Sequence, residues 1–93
     1  MRTFRAQIQP GRIDDFAQHL QTFFDTRMRG VPGLQQLYGG REWGSHQAVI
    51  VSIWESEQAM TDAQEHVRAF AGTVWELLTE PPVIVSYEIT AHV

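Results

Sequence analysis

Two aspartate–histidine pairs stand four residues apart in this chain, Asp62 with His66 and Asp15 with His19. On a helix that spacing puts both side chains on one face, where a carboxylate can orient an imidazole and share its proton. Such a pair serves as a general base toward an acidic phenol, and Asp62 with His66 is the candidate for that role. It serves equally as a solvated surface ion pair, and its recurrence at Asp15 and His19 shows how readily the pattern arises. The remaining chemistry is narrowed by what is missing. The chain has no Cys, no Lys and no Asn, so all seven basic residues are Arg. Thiol nucleophiles, disulfides, zinc ribbons, Schiff bases and N-glycosylation are thereby excluded. The four His, at positions 19, 46, 66 and 92, never fall at the short spacings of metal motifs, so no metal site is expected. Ser45 sits among glycines but lacks the G-x-S-x-G setting of a nucleophile elbow.

Six elements must position these groups. Thr3 to Gln9 alternates, with Phe4, Ala6 and Ile8 on one face and Arg5, Gln7 and Gln9 on the other, until Pro10-Gly11 breaks the strand. From Arg12 the period becomes helical, with Ile13, Phe16, Ala17, Leu20, Phe23 and Phe24 on one side and a stop at Gly30, Pro32 and Gly33. Leu34 to Tyr38 and Gln47 to Trp54 read as two further strands around a glycine-bearing loop. Ser56 caps a second helix in two pieces, a short one through Met60 and a longer one to about Leu78 with Val67, Phe70, Ala71, Val74, Leu77 and Leu78 as its apolar stripe. Pro81-Pro82 stops it, and Val83 to Ala91 reads as a last strand with Tyr87 on its apolar face. The order β-α-β-β-α-β is the ferredoxin-like α+β arrangement, a four-stranded antiparallel sheet with both helices on one face, in a single domain spanning 1–93.

In the third strand Ala48, Ile50 and Trp54 share one side and Val49, Val51 and Ile53 the other, so both sides are apolar. A sheet wet on one face should alternate instead, and the second face is expected to be buried against an identical subunit in a homodimer. A chain of this size buries only roughly 60–65 % of its extended surface, which makes a partner useful. The formal charge of −4 argues against nucleic acid as a ligand. No apolar run approaches the ~20 residues that span a bilayer, and Met1 to Pro10 does not resemble a secretion signal, so a cytoplasmic protein without membrane partners is expected.

The segment Trp54-Glu55-Ser56-Glu57-Gln58-Ala59, at the junction of third strand and second helix, resembles the W-E-S-E-x-A signature of the antibiotic biosynthesis monooxygenase family. Pro10-Gly11, Pro32-Gly33 and the Tyr87-bearing last strand fall where that family has them, so the likeness covers nearly the whole chain. It implies a dimeric α/β barrel. It also implies a cofactor-independent monooxygenase that oxidises a small aromatic or phenolic compound with O2, in an apolar cavity between sheet and helices near Trp54. Trp54 would be cavity wall and orienting donor, with Ile50, Met60 and Tyr87 beside it and His66 with Asp62 as the base.

The family members that oxidise polyketide phenols pair the signature Trp with an Asn upstream and a Tyr downstream, positions filled here by Ile50 and Met60. Haem-degrading relatives use an Asn, a Trp and a His at positions resembling Phe4, Ala63 and Thr73, which disfavours that route. Two other readings of the same fold stay open, a non-catalytic small-molecule-binding or structural dimer and a haem-binding protein.

Overall fold

The computed structural model describes residues 1–93. Four strands, β1 (Arg2–Gln7), β2 (Leu34–Arg41), β3 (Gln47–Trp54) and β4 (Val83–Ser86), form one antiparallel sheet in the order β2-β3-β1-β4. This is the expected ferredoxin-like topology. Helix α1 (Ile13–Phe23) ends in a wider π-turn over Phe24–Met28, and the second helical region is divided into α2 (Glu57–Asp62) and α3 (Gln64–Val74), followed by a 3-10 turn at Trp75–Leu77.

The local reasons are visible in the chain. Asp14 and Asp15 occupy the first turn of α1, where carboxylates complement the helix dipole. Ser56 takes the extended conformation of an N-cap, and its Oγ accepts from the Ala59 amide at 3.1 Å. The break between α2 and α3 falls at Ala63, whose backbone leaves the helical region.

The helices cover the side of the sheet that carries Phe4, Ala6, Ile8, Ala48, Ile50 and Trp54. Phe70 of α3 lies at the centre of this layer, edge-on to Phe4 and Phe16 with centroids 5.7 Å away and stacked on Phe23 at 4.6 Å. On the opposite side Val49, Val51, Ile53 and Val85 are half-buried, while Tyr38, Val83 and Tyr87 are exposed.

Three boundaries differ from expectation. Strand β1 begins at Arg2 and ends at Gln7, with Ile8 making only an isolated bridge to Leu78. Strand β2 runs past Tyr38 to Arg41, because Gly39, Gly40 and Arg41 pair with Ile50, Val49 and Ala48. At Gly39 a Cβ would collide with Leu20 of α1, so the glycine lets the helix lie close on the strand. The last strand stops at Ser86, well short of Ala91. Its only neighbour is β1, paired over Arg2 to Arg5. Beyond the last register pair, Tyr87 and Met1 exchange backbone hydrogen bonds of 2.7 and 2.9 Å.

Candidate functional site

The helix-covered side of the sheet changes character where β1 begins and β3 ends. Arg2 pairs in register with Ser52, and the strand alternation that turns Phe4 and Ala6 inward turns both of these inward too. They are the only buried polar residues of the chain, Arg2 at 7 % and Ser52 at 6 % exposure. Trp54, two residues on from Ser52 and therefore on the same face, donates its indole N–H to Ser52 Oγ at 2.8 Å. The Ser52 hydroxyl itself lies 3.5 Å from the Arg2 carbonyl oxygen.

These three side chains border a small internal chamber of about 30 Å³, whose other walls include Phe4, Phe23, Ile50 and Phe70. Arg2 Nε and Nη1 are buried here without any hydrogen-bond partner. Neither ion pair of the chain, Arg12 with Asp15 or Arg29 with Asp25, involves Arg2, and both lie at the surface. Burial lowers the pKa of the Arg2 guanidinium from the ordinary arginine value, as expected for a cation removed from water. A guanidinium nevertheless stays charged at neutral pH.

Trp54 also forms a wall of an open cleft of about 600 Å³ at the end of the sheet, together with Met1, Met60 and Tyr87 and the carboxylates of Glu55, Glu57 and Glu88. That volume lies within the ~300–1,000 Å³ range of small-molecule sites. Trp54, Met60 and Tyr87 are thus brought together on the cleft, and Trp54 with Ile50 on the chamber.

Asp62 and His66 border a separate groove beside the Val31-Pro32 turn, which meets the cleft at Glu55 and Ser56. They do not close on each other. Asp62 Oδ1 accepts from Gln58 at 2.7 Å, and His66 Nδ1 is buried without a partner. No three His, Asp or Glu side chains gather closely enough to hold a metal ion, and no helix is long and apolar enough to cross a membrane.

Arg2 and Ser52 are the site residues that inspection of the sequence passed over. The signal was present, since Arg2 has the same parity as Phe4 and Ala6 and Ser52 the same parity as Ile50 and Trp54.

A sequence profile of the family described as Antibiotic biosynthesis monooxygenase matches residues 1–72. No curated protein matches the chain. Among solved structures, a candidate antibiotic biosynthesis monooxygenase from Nitrosomonas europaea superposes with a TM-score of 0.83 at 15 % identity, covering 97 % of each chain. One of the same description from Deinococcus radiodurans gives 0.83 at 14 % identity over 99 % of this chain and 93 % of that one. A third, from Bordetella bronchiseptica, gives 0.74 at 22 % identity over 95 % and 94 %. At these identities the likeness is one of fold.

Proposed function

From the antibiotic biosynthesis monooxygenase family, to which this chain belongs, we propose that it takes the activity of a cofactor-independent monooxygenase acting on a small aromatic or phenolic compound. The observation that supports this reading is the placement of Trp54 as shared wall of the open cleft and the inner chamber. An aromatic ring in the cleft meets the Trp54 face, Met60 and Tyr87, while the indole N–H stays engaged with Ser52.

The chemistry needs only substrate, base and dioxygen. A base removes a proton from a carbon activated by neighbouring aryl or phenolic groups. The carbanion transfers an electron to O2, and the resulting radical pair combines to form a C–O bond. Protonation gives a hydroperoxide, which loses water to leave a carbonyl. One oxygen atom ends in the product and one in water, and the four electrons gained by O2 come from the substrate carbon. His66, with Asp62, is the candidate base, standing across the β3–α2 junction from Trp54.

The working unit in this proposal is a homodimer in which the Val49, Val51, Ile53 and Val85 face is covered by that of a second copy. Half-buried β-branched side chains on a sheet face without helices support this arrangement. A Val51→Asp variant is expected to sediment as a monomer where the wild type sediments as a dimer.

Oxygen-electrode measurements with an anthrone test the activity. Uptake above the buffer rate is expected, falling on the order of 100-fold in His66→Ala if that side chain is the base. Uptake no faster than buffer with the wild type rejects the reading.

A further inference from the structure

The cleft of about 600 Å³ combines apolar walls with charge of one sign. Trp54, Met60, Tyr87 and Ile89 supply the walls, and Glu55, Glu57 and Glu88 are its only charged side chains. None of the seven arginines lines it, Arg2 bordering the inner chamber instead. The one cation present, the amino group of Met1, donates to the Tyr87 carbonyl at 2.9 Å. Both ion pairs of the chain lie elsewhere, so the three carboxylates have no cationic side chain as partner. Glu57 has a local reason for its place, in the first turn of α2 where the helix dipole favours an anion. Glu55 and Glu88 have none. One follows β3 and the other follows β4, and the fold brings them to the same cleft at the cost of their mutual repulsion. The groove that meets the cleft at Glu55 adds Asp62 and Glu65, against the single imidazole of His66.

We propose that this cleft takes a small aromatic cation, a ring that carries a protonated amine. The proposal rests on the reading of the Trp54 cleft as the ligand site and supplies the substrate class. The site is the cleft with its aromatic walls, and the carboxylates decide the charge of what it takes. The ring packs among Trp54, Met60 and Tyr87, whose aromatic faces also attract a cation. The ammonium lies toward Glu55 and Glu88. The negative potential over cleft and groove draws such a ligand in and opposes an anion of the same shape. A space of this volume holds ring and amine together, so the ligand has no need of the chamber behind Trp54.

The test uses the full chain and three phenols of matched shape: tyramine as the cation, 4-hydroxyphenethyl alcohol as the neutral isostere and 4-hydroxyphenylacetate as the anion. Ethylammonium serves as a cation without a ring. Calorimetry at low salt is expected to show tyramine binding roughly 3- to 30-fold more tightly than the alcohol, the worth of two solvated ion pairs, and the anion binding more weakly than either. The preference should shrink at about 1 M salt, where such pairs are screened. In the double variant Glu55→Gln, Glu88→Gln the affinity for tyramine is expected to fall to that for the alcohol, while the alcohol binds as in wild type. Unchanged binding of the alcohol also shows that the variant folds. Glu80→Gln makes the same change of charge outside the cleft and should leave the preference intact.

Absence of tyramine binding, or equal affinity for tyramine and the alcohol, overturns the proposal. So does a preference that survives the double variant or that Glu80→Gln lowers as much. Ethylammonium binding as tightly as tyramine would reduce the cleft to an acidic surface without a role for the ring, which overturns it as well. The two readings fail separately. Glutamate-dependent tyramine binding without oxygen uptake on any phenol leaves this proposal standing and removes the monooxygenase. Oxygen uptake on an anthrone, with no preference for tyramine over the alcohol, does the reverse.

Discussion

One face of the sheet has two unlike ends. Around Phe4, Ala6 and Ile8 it meets Phe16, Leu20 and Phe70, all apolar and all buried. A few residues away it carries Arg2, Ser52 and Trp54 around a void. The same strands and the same helix α3 serve both. The first end concentrates dispersion and apolar burial, the terms that hold a small domain together. The second accepts a cation without a partner and an incompletely filled space, features that cost stability and are useful only toward a ligand. On the proposed function, stability and recognition are divided along the strands rather than between layers.

The largest effect expected from breaking this division is at Phe70, whose ring touches Phe4, Phe16 and Phe23 and also walls the chamber. Phe70→Ala should cost about 3–5 kcal/mol in urea unfolding, since the space it leaves joins an existing void. Next is Gly33, which adopts φ +80° in the turn that ties β2 to the start of α2, its carbonyl accepting from the Glu55 amide at 2.8 Å. In Gly33→Ala the left-handed backbone penalty and the collision of the new Cβ with Ala59 should together cost at least about 2 kcal/mol, loosening the cleft end while the Phe70 end keeps its packing. Ser52→Ala should cost about 1–2 kcal/mol by leaving the buried indole N–H of Trp54 without an acceptor. Near-ultraviolet circular dichroism should change with it as Trp54 loses its fixed orientation.

How far these ends were legible in the sequence follows the range of the interactions that make them. The apolar end was readable, because alternation in Phe4, Ala6 and Ile8 and the stripe through Phe70 and Val74 are local patterns. So were Gln47–Trp54, the Ser56 cap and the division of the second helix near Met60. The last strand was overrun to Ala91 because Tyr87, Ile89 and Ala91 keep a strand pattern. Whether a strand continues depends on its neighbour, and the ladder of β4 on β1 closes at Arg2 with Ser86 and the Met1–Tyr87 exchange. Arg2 escaped notice for the opposite reason. An arginine is ordinarily read as solvated, and only the position of Ser52 across the strand and of α3 above it makes this one buried. Tyr87 lies far from Trp54 and Met60 in the chain and meets them on one cleft only through the fold. The spacing of Asp62 and His66 gave no hint that Gln58 would take the carboxylate.

The smallest expected effect lies at that carboxylate. Asp62 is exposed and bonded to an exposed Gln58, so Asp62→Asn should change stability by less than about 0.5 kcal/mol. Its value is in the oxygen-uptake assay beside His66→Ala. If the two residues act as a unit in the presence of substrate, Asp62→Asn lowers uptake nearly as much as His66→Ala. If His66 acts alone, as the unclosed pair in this structure indicates, uptake in Asp62→Asn stays within about twofold of wild type, a change of well under 1 kcal/mol in the barrier. Uptake unaffected by either substitution would take the base out of this groove and toward the carboxylates of Glu55, Glu57 and Glu88. Those line the cleft with Trp54, and the recognition end of the sheet would then hold the whole of the chemistry.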